Sequence, residues 1–259
     1  SFIGYLLYLF NSEAKCVSKQ NLEICFPGLS EFELKSLLKK VLNETGKGLT
    51  ESGLIWNQNF TDNAKLIRNI NGEHYLDSSK KTILLVPHMG CWEITGRILA
   101  EKRKVTFMYR PLRSNKQNEY LFSRRNQGNL TMASADKLGI LKIQRALNNG
   151  DLVGMLPDQD PGKEGGLMSP FFGKKVNTMT LLAKIAKKQN AQVLMFWAKR
   201  LDDGQGYDLS FEPVDLNANG DNLEERVGQM NQSIESLIRK QPEQYMWSYR
   251  RFKSSHSYN

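Results

Sequence analysis

At 259 residues, 40% of them hydrophobic, the chain has enough apolar material for a sizeable core without disulfide staples. Its three cysteines, Cys16, Cys25 and Cys91, form neither a C-x-x-C pair nor an even framework, and His74, His88 and His256 lie far apart and away from any cysteine cluster, so neither a secreted disulfide scaffold nor a metal site is expected. The formal charge of +9 concerns partners rather than fold.

The opening "SFIGYLLYLF" is almost wholly apolar but too short to span a bilayer, and it lacks the basic flank and cleavage site of a signal peptide. A core helix, an interfacial helix and the stump of a longer anchor are all compatible with it; membrane proximity is the preferred reading. After a turn at Pro27-Gly28, Ser30 and Glu33 form a capping box, and Phe32, Leu37, Leu38, Val41 and Leu42 set one apolar face, which predicts a helix over 31–44. Further helices are predicted over 46–58 and 62–70, and "NGEHYLDS" reads as a turn or short strand.

From "KTILLVP" (81–87), a buried strand, the chain alternates. A helix is predicted over 91–102, a strand over 104–109, a helix over 115–127, and a helix over 136–149 ending at Gly150; "LTMASAD" between them is ambiguous. Strand 152–156 runs into the loop "PDQDPGKEGGLMSPFFGKK", followed by a helix over 178–189 with Thr178 as its cap. Strands over 192–199 and 207–214 and a helix over 222–240 close the series. Strand–helix alternation predicts an α/β fold with a mostly parallel central sheet covered by helices on both faces. A single domain over 1–259 is expected, with a mainly helical, membrane-proximal portion at 1–70 and an α/β core at 80–253.

Sites in open α/β sheets form beyond the carboxyl ends of strands. His88 stands there, followed by Gly90 and by Glu93 in the first turn of a helix. Five residues within one helix would set the two side chains about 140° apart, but an intervening turn lets them meet. A carboxylate bonded to one ring nitrogen fixes the tautomer and leaves the other nitrogen as a general base. No serine or cysteine sits in a nucleophile elbow, so such a base would act on a substrate hydroxyl. A histidine at a strand end and a glutamate at a helix start are also ordinary structural features.

The segment "PHMGCWE" (87–93) resembles the signature of the late acyltransferases of bacterial lipid A biosynthesis, within the glycerolipid and lysophospholipid acyltransferases. "NLEICFPGLS", "YRPLRS", "PDQDPGKEGGLMSPFFGKKVNT" and "PEQYMWSYRRFK" follow the same pattern in order, so the resemblance covers nearly the whole chain. It implies transfer of a fatty acyl group from the thioester of acyl carrier protein to a hydroxyl of a lipid A precursor, at the cytoplasmic face of the bacterial inner membrane, without an acyl-enzyme or a cofactor. His88 would be the base and Glu93 would orient it. The family usually begins with a membrane anchor, which here looks shortened or missing.

Between Arg97 and Arg125 nine Lys/Arg stand against two acids, Glu101 and Glu119. Nucleic acid, anionic head groups or an acidic carrier protein would answer that field, and a solvated basic face would also explain it. Arg110, Arg113 and Arg125 suit phosphates or an oxyanion, though surface solubility accounts for arginines equally simply. Asp158 and Gln159, at the end of a strand, are candidates to hold acceptor hydroxyls, to position the arginines or to cap the loop. Phe171, Phe172 and Lys174 are expected to form an acyl-chain groove with a cationic rim; a core plug is the alternative. "WSYRRFK" would suit a lipid interface. The rival readings are a glycerolipid or other glycolipid O-acyltransferase using acyl-CoA, and a non-catalytic basic module. No zinc finger, RNP signature or basic helix with heptads supports nucleic-acid binding.

Overall fold

The computed structural model describes residues 1–76, 79–112, 114–162 and 165–258. Four helices open the chain: α1 (Phe2–Leu9), α2 (Glu13–Cys25), α3 (Glu31–Asn57) and the short α4 (Phe60–Ala64). The capping box at Ser30 and Glu33 forms as its residues require. α3, however, is one continuous helix where two were expected. Gly46, where the second helix was expected to start, is a packing contact: a Cβ there would fall 2.3 Å from the Gly4 nitrogen, so its bare backbone lets α1 lie against α3. α1 therefore has one face on α3 and the other in solvent, and among the described residues no helix is long and apolar enough to cross a membrane.

The expected helix over 62–70 is divided. α4 accounts for its start, and β1 (Ile67–Asn71) then forms one edge of the sheet. So short a segment takes its conformation from the free edge beside it rather than from its own propensity. The sheet continues with β2 (Thr82–Leu85), β3 (Val105–Tyr109), β4 (Leu130–Ser134) and β5 (Leu152–Met155), and ends with β8 (Gln192–Arg200) and β9 (Tyr207–Pro213). The ambiguous "LTMASAD" is β4. Between the strands lie α5 (Trp92–Lys102), α6 (Asn115–Arg125), α7 (Lys137–Asn148) and α8 (Leu181–Gln189), and α9 (Leu223–Lys240) follows β9.

Strand order is β1-β9-β8-β2-β5-β3-β4. β8, β2, β5, β3 and β4 run parallel, whereas β9 is antiparallel to β8 and carries β1 parallel to itself. Helices bury two apolar clusters, one on each side of this sheet. Met155, Met195, Ile143 and Val227 belong to one, and Leu84, Ile94, Phe107 and Phe196 to the other.

The segment expected as a loop after β5 contains a hairpin, β6 (Gly166–Phe171) and β7 (Lys174–Met179). Thr178 lies within β7, and the cap of α8 is Thr180. "WSYRRFK", expected to suit a lipid interface, is partly in the interior. Trp247, Arg251 and Phe252 are buried, and Arg251 donates to the Asn177 carbonyl at 2.6 Å and to Thr178 Oγ1 at 2.8 Å. Trp247, Arg251 and Phe252 thus serve the interior, with the Arg251 guanidinium bonded to the hairpin, while Arg250 and Lys253 stay exposed.

Candidate active site

β2 and β5 are neighbours with Leu85 opposite Met155. Three residues beyond that register pair the chain reaches His88 on one side and Asp158 on the other, and the two meet. Asp158 Oδ1 lies 2.8 Å from His88 Nδ1, and Asp158 Oδ2 accepts the His88 main-chain N–H at 2.9 Å. The buried Tyr245 lies beside Asp158; burial first, and the Asp158 charge second, push its hydroxyl well above the usual value. An ionised carboxylate only accepts, so Nδ1 carries the proton and Nε2 keeps its lone pair. That nitrogen is met by Gln159 Nε2 at 3.3 Å, an amide N–H that can donate to it.

Asp158 is fully buried. Burial alone would raise its carboxyl, but the positive charge His88 can carry, the two bonds from His88 and the nearby Arg251 outweigh it, and the group sits below the ordinary carboxylate value.

The expected bond between His88 and Glu93 is not made. The Glu93 carboxylate accepts from Trp56 Nε1 at 2.8 Å and from Arg125 Nε at 3.1 Å, with Arg125 Nη2 on its other oxygen. A forked guanidinium matched to both oxygens outcompetes a single ring N–H, and His88 is already satisfied by Asp158. Glu93 still lines the same cavity, as does Arg125.

The loop under the ring is fixed by main-chain bonds. Gly90 N–H donates to the Gln244 carbonyl at 2.9 Å, Cys91 N–H to the Ala198 carbonyl at 3.0 Å, and Met246 N–H to the His88 carbonyl at 3.0 Å. Gly90 has φ +55°, and a Cβ there would lie 2.0 Å from the Ala198 oxygen, so the turn requires glycine. Arg200, buried beneath, donates to the Gly90 carbonyl at 3.1 Å while pairing with Glu44 and Glu51 of α3. Cys91 is no nucleophile: burial, together with the Glu51 charge, pushes its thiol well above the usual range.

His88 opens into a cavity of about 610 Å³ at the carboxyl edge of the sheet, within the usual size of a small-molecule site. One wall is apolar, from Trp92, Gly96, Phe107, Leu130, Met132 and Leu156; the other end holds Arg110, Arg125, Gln159 and Asp160. Arg110 is exposed at the mouth and reaches toward Gly162, where a Cβ would stand 3.6 Å from its Nη2. Arg113 lies outside the described residues.

Phe171, Phe172 and Lys174 are placed elsewhere. Phe171 and Phe172 are 0% and 7% exposed and pack in the core, which is the core-plug alternative. The hairpin folds their rings inward against Phe252, Trp247 and Phe26. Phe172 and Lys174 border a separate open hollow beside Cys25–Leu29, lined by residues different from those around His88. The residues expected to form an acyl-chain groove thus pack in the core or border that hollow, and the apolar lining of the His88 cavity comes from other residues, Gly96 and Phe107 among them. Sequence reasoning missed that wall, as well as Trp56 and Tyr245. The glycine within a helix at position 96 was the one local signal, marking where α5 packs closely on Phe107 and Leu130.

The sequence has relatives among known proteins. The family model "bacterial lipid A biosynthesis acyltransferase" matches residues 1–254. The chain belongs to that family. Lipid A biosynthesis lauroyltransferase of Escherichia coli K12 is 31% identical over 258 residues, which is 97% of this chain and 83% of that protein. Lipid A biosynthesis palmitoleoyltransferase of the same strain is 28% identical, covering 97% of this chain and 83% of that protein. Lipid A biosynthesis myristoyltransferase, again of that strain, is 24% identical and covers 90% and 73%.

Proposed function

We propose that this lipid A acyltransferase-family protein moves a fatty acyl chain from the thioester of acyl carrier protein to a hydroxyl of a lipid A precursor, at the cytoplasmic face of the bacterial inner membrane. The observation that carries the reading is His88. Its Nδ1–H is held by Asp158, and its Nε2 lone pair faces a cavity with an apolar wall and two arginines.

The acceptor hydroxyl displaces the Gln159 amide from Nε2 and gives its proton to that nitrogen as its oxygen attacks the thioester carbonyl. The new C–O bond forms, the C–S bond breaks, and the departing thiolate takes the proton from the imidazolium. Asp158 stabilises the imidazolium in between, so no covalent acyl-enzyme is needed. Arg125, held by Glu93, and Arg110 at the mouth offer guanidinium N–H groups to a phosphate of the acceptor or of the carrier's arm. The acyl chain lies along the apolar wall.

The test is transfer from acyl carrier protein to a lipid A precursor in detergent. The protein is expected to be active, and His88→Ala to fall to background while remaining folded; undiminished turnover by the variant would end the assignment.

Chain length supplies a second test. Gly96 sits inside α5, where glycine costs roughly 0.5–1 kcal/mol relative to alanine, and a Cβ there would come 3.3 Å from both Leu130 Cδ1 and Phe107 Cε2. Gly96→Leu is expected to lower kcat/KM for the longest accepted donor about 10–200-fold while sparing shorter ones. A panel of acyl carrier thioesters reads this directly, and an unchanged length profile would move the acyl chain away from this wall.

A further inference from the structure

α7 carries leucines on a face that surface helices fill with polar groups. Its inner side is Gly139, Ile143, Ala146 and Leu147, all buried. On the opposite side Leu138 is 77% exposed and Leu141 48%, and spacings of three and four residues put Lys142 and Arg145 beside them. Single exposed leucines are ordinary, but these belong to a group with a definite place. α7 begins at the active-site cavity, since Ala135 and the cap residue Asp136 line it. Helical side chains lean toward the helix N-terminus, so Leu138 covers the turn at the cavity's lip. Leu112, 43% exposed, follows β3, the strand paired with β4, and so stands on the same rim. Exposed Arg110, Lys116 and Lys137 lie within four residues of Leu112 or Leu138 along the chain, against the acids Asp136 and Glu119.

We propose that this rim, centred on Leu138 and Leu141, is the face that rests on an anionic lipid bilayer, with the leucines among the acyl chains and the cations at the head groups. The proposal rests on the acyltransferase reading for its purpose: it lets a lipid acceptor pass from the bilayer to His88 without crossing water. Cations alone would equally suit an acidic protein. Leucines projecting from a convex helix face, interleaved with Lys and Arg, fit a deformable apolar phase with a negative surface.

The experiment is co-sedimentation of the full chain with vesicles of phosphatidylglycerol and phosphatidylcholine, against phosphatidylcholine alone. The protein is expected to partition onto the anionic vesicles, less so at high salt. Leu138→Asp/Leu141→Asp should weaken that partition about tenfold or more while leaving turnover of an acceptor in detergent micelles unchanged. Leu138→Trp should shift its emission to the blue on anionic vesicles only. The proposal is overturned if the double variant partitions like the parent, or if binding is instead lost in Phe2→Asp/Tyr5→Asp, on the exposed stripe of α1. Vesicle binding retained while docking of acyl carrier protein is lost would give the face to an acidic protein and overturn it too. Failure of the acyltransferase reading is separately visible, as absence of turnover by the parent in micelles.

Discussion

Asp158→Asn is expected to lower kcat by on the order of 10³–10⁴-fold with KM nearly unchanged. The reason is the tautomer. Asp158 accepts from Nδ1 at 2.8 Å and so leaves the lone pair on Nε2. An asparagine that turns its NH2 toward Nδ1 favours the opposite tautomer, whose Nε2 already carries a proton and cannot take another from the acceptor. KM should hold because Asp158 lies behind His88 and the cavity wall is made by other side chains. Steady-state kinetics in micelles separates the two constants; a loss carried mainly by KM would make Asp158 a substrate contact rather than a brace for the ring. Glu93→Gln, which loosens Arg125 but leaves the His88–Asp158 pair intact, is expected to cost less.

The same carboxylate has a consequence for stability. Its value is lower in the folded chain than the ordinary carboxylate value of about 3.9. It therefore contributes stability fully above that pH, and the contribution is lost as pH falls through the lower folded value. Denaturation midpoints followed into acid should fall in the parent, with a shallower decline in Asp158→Asn.

Arg200→Ala is expected to destabilise the fold by about 3–5 kcal/mol, because it leaves the largely buried Glu51 carboxylate with only the Tyr207 hydroxyl and takes one of two cations, Lys47 being the other, from Glu44. The Gly90 carbonyl loses a donor at the same time, so the turn beneath His88 loosens and activity should fall in the protein that remains folded. Urea denaturation measures the first effect. Arg200→Lys should recover only part of it, since an ammonium cannot bridge both carboxylates and the carbonyl with a fixed fork. A loss below about 1 kcal/mol for the alanine variant would mean that water or relaxation satisfies the acids, and that α3 is not tied to the catalytic turn through this residue.

His88 at the end of an apolar run and Gly90 at the turn were legible because each rests on local chemistry: an apolar strand and a residue suited to positive φ. The alternation that gave a mostly parallel sheet is likewise a near-neighbour pattern, as is the capping box of α3. β1 was not legible, because an isolated five-residue strand is defined by the edge it joins. Nor was the burial of Phe171, Phe172, Trp247, Arg251 and Phe252, since an aromatic beside a cation reads alike for a lipid surface and for a core with a bonded arginine.

The sequence alone determined that His88, Glu93, Arg110 and Asp158 would stand near the carboxyl ends of strands, for strand boundaries follow from local hydrophobicity. Which of them touch was decided only by the tertiary structure. β5 lies beside β2, with Leu85 opposite Met155, and that one adjacency delivers Asp158 to the imidazole. α6 meanwhile brings Arg125 across to take Glu93. Strand order and helix placement come from packing between segments tens of residues apart, and no local pattern carries that information.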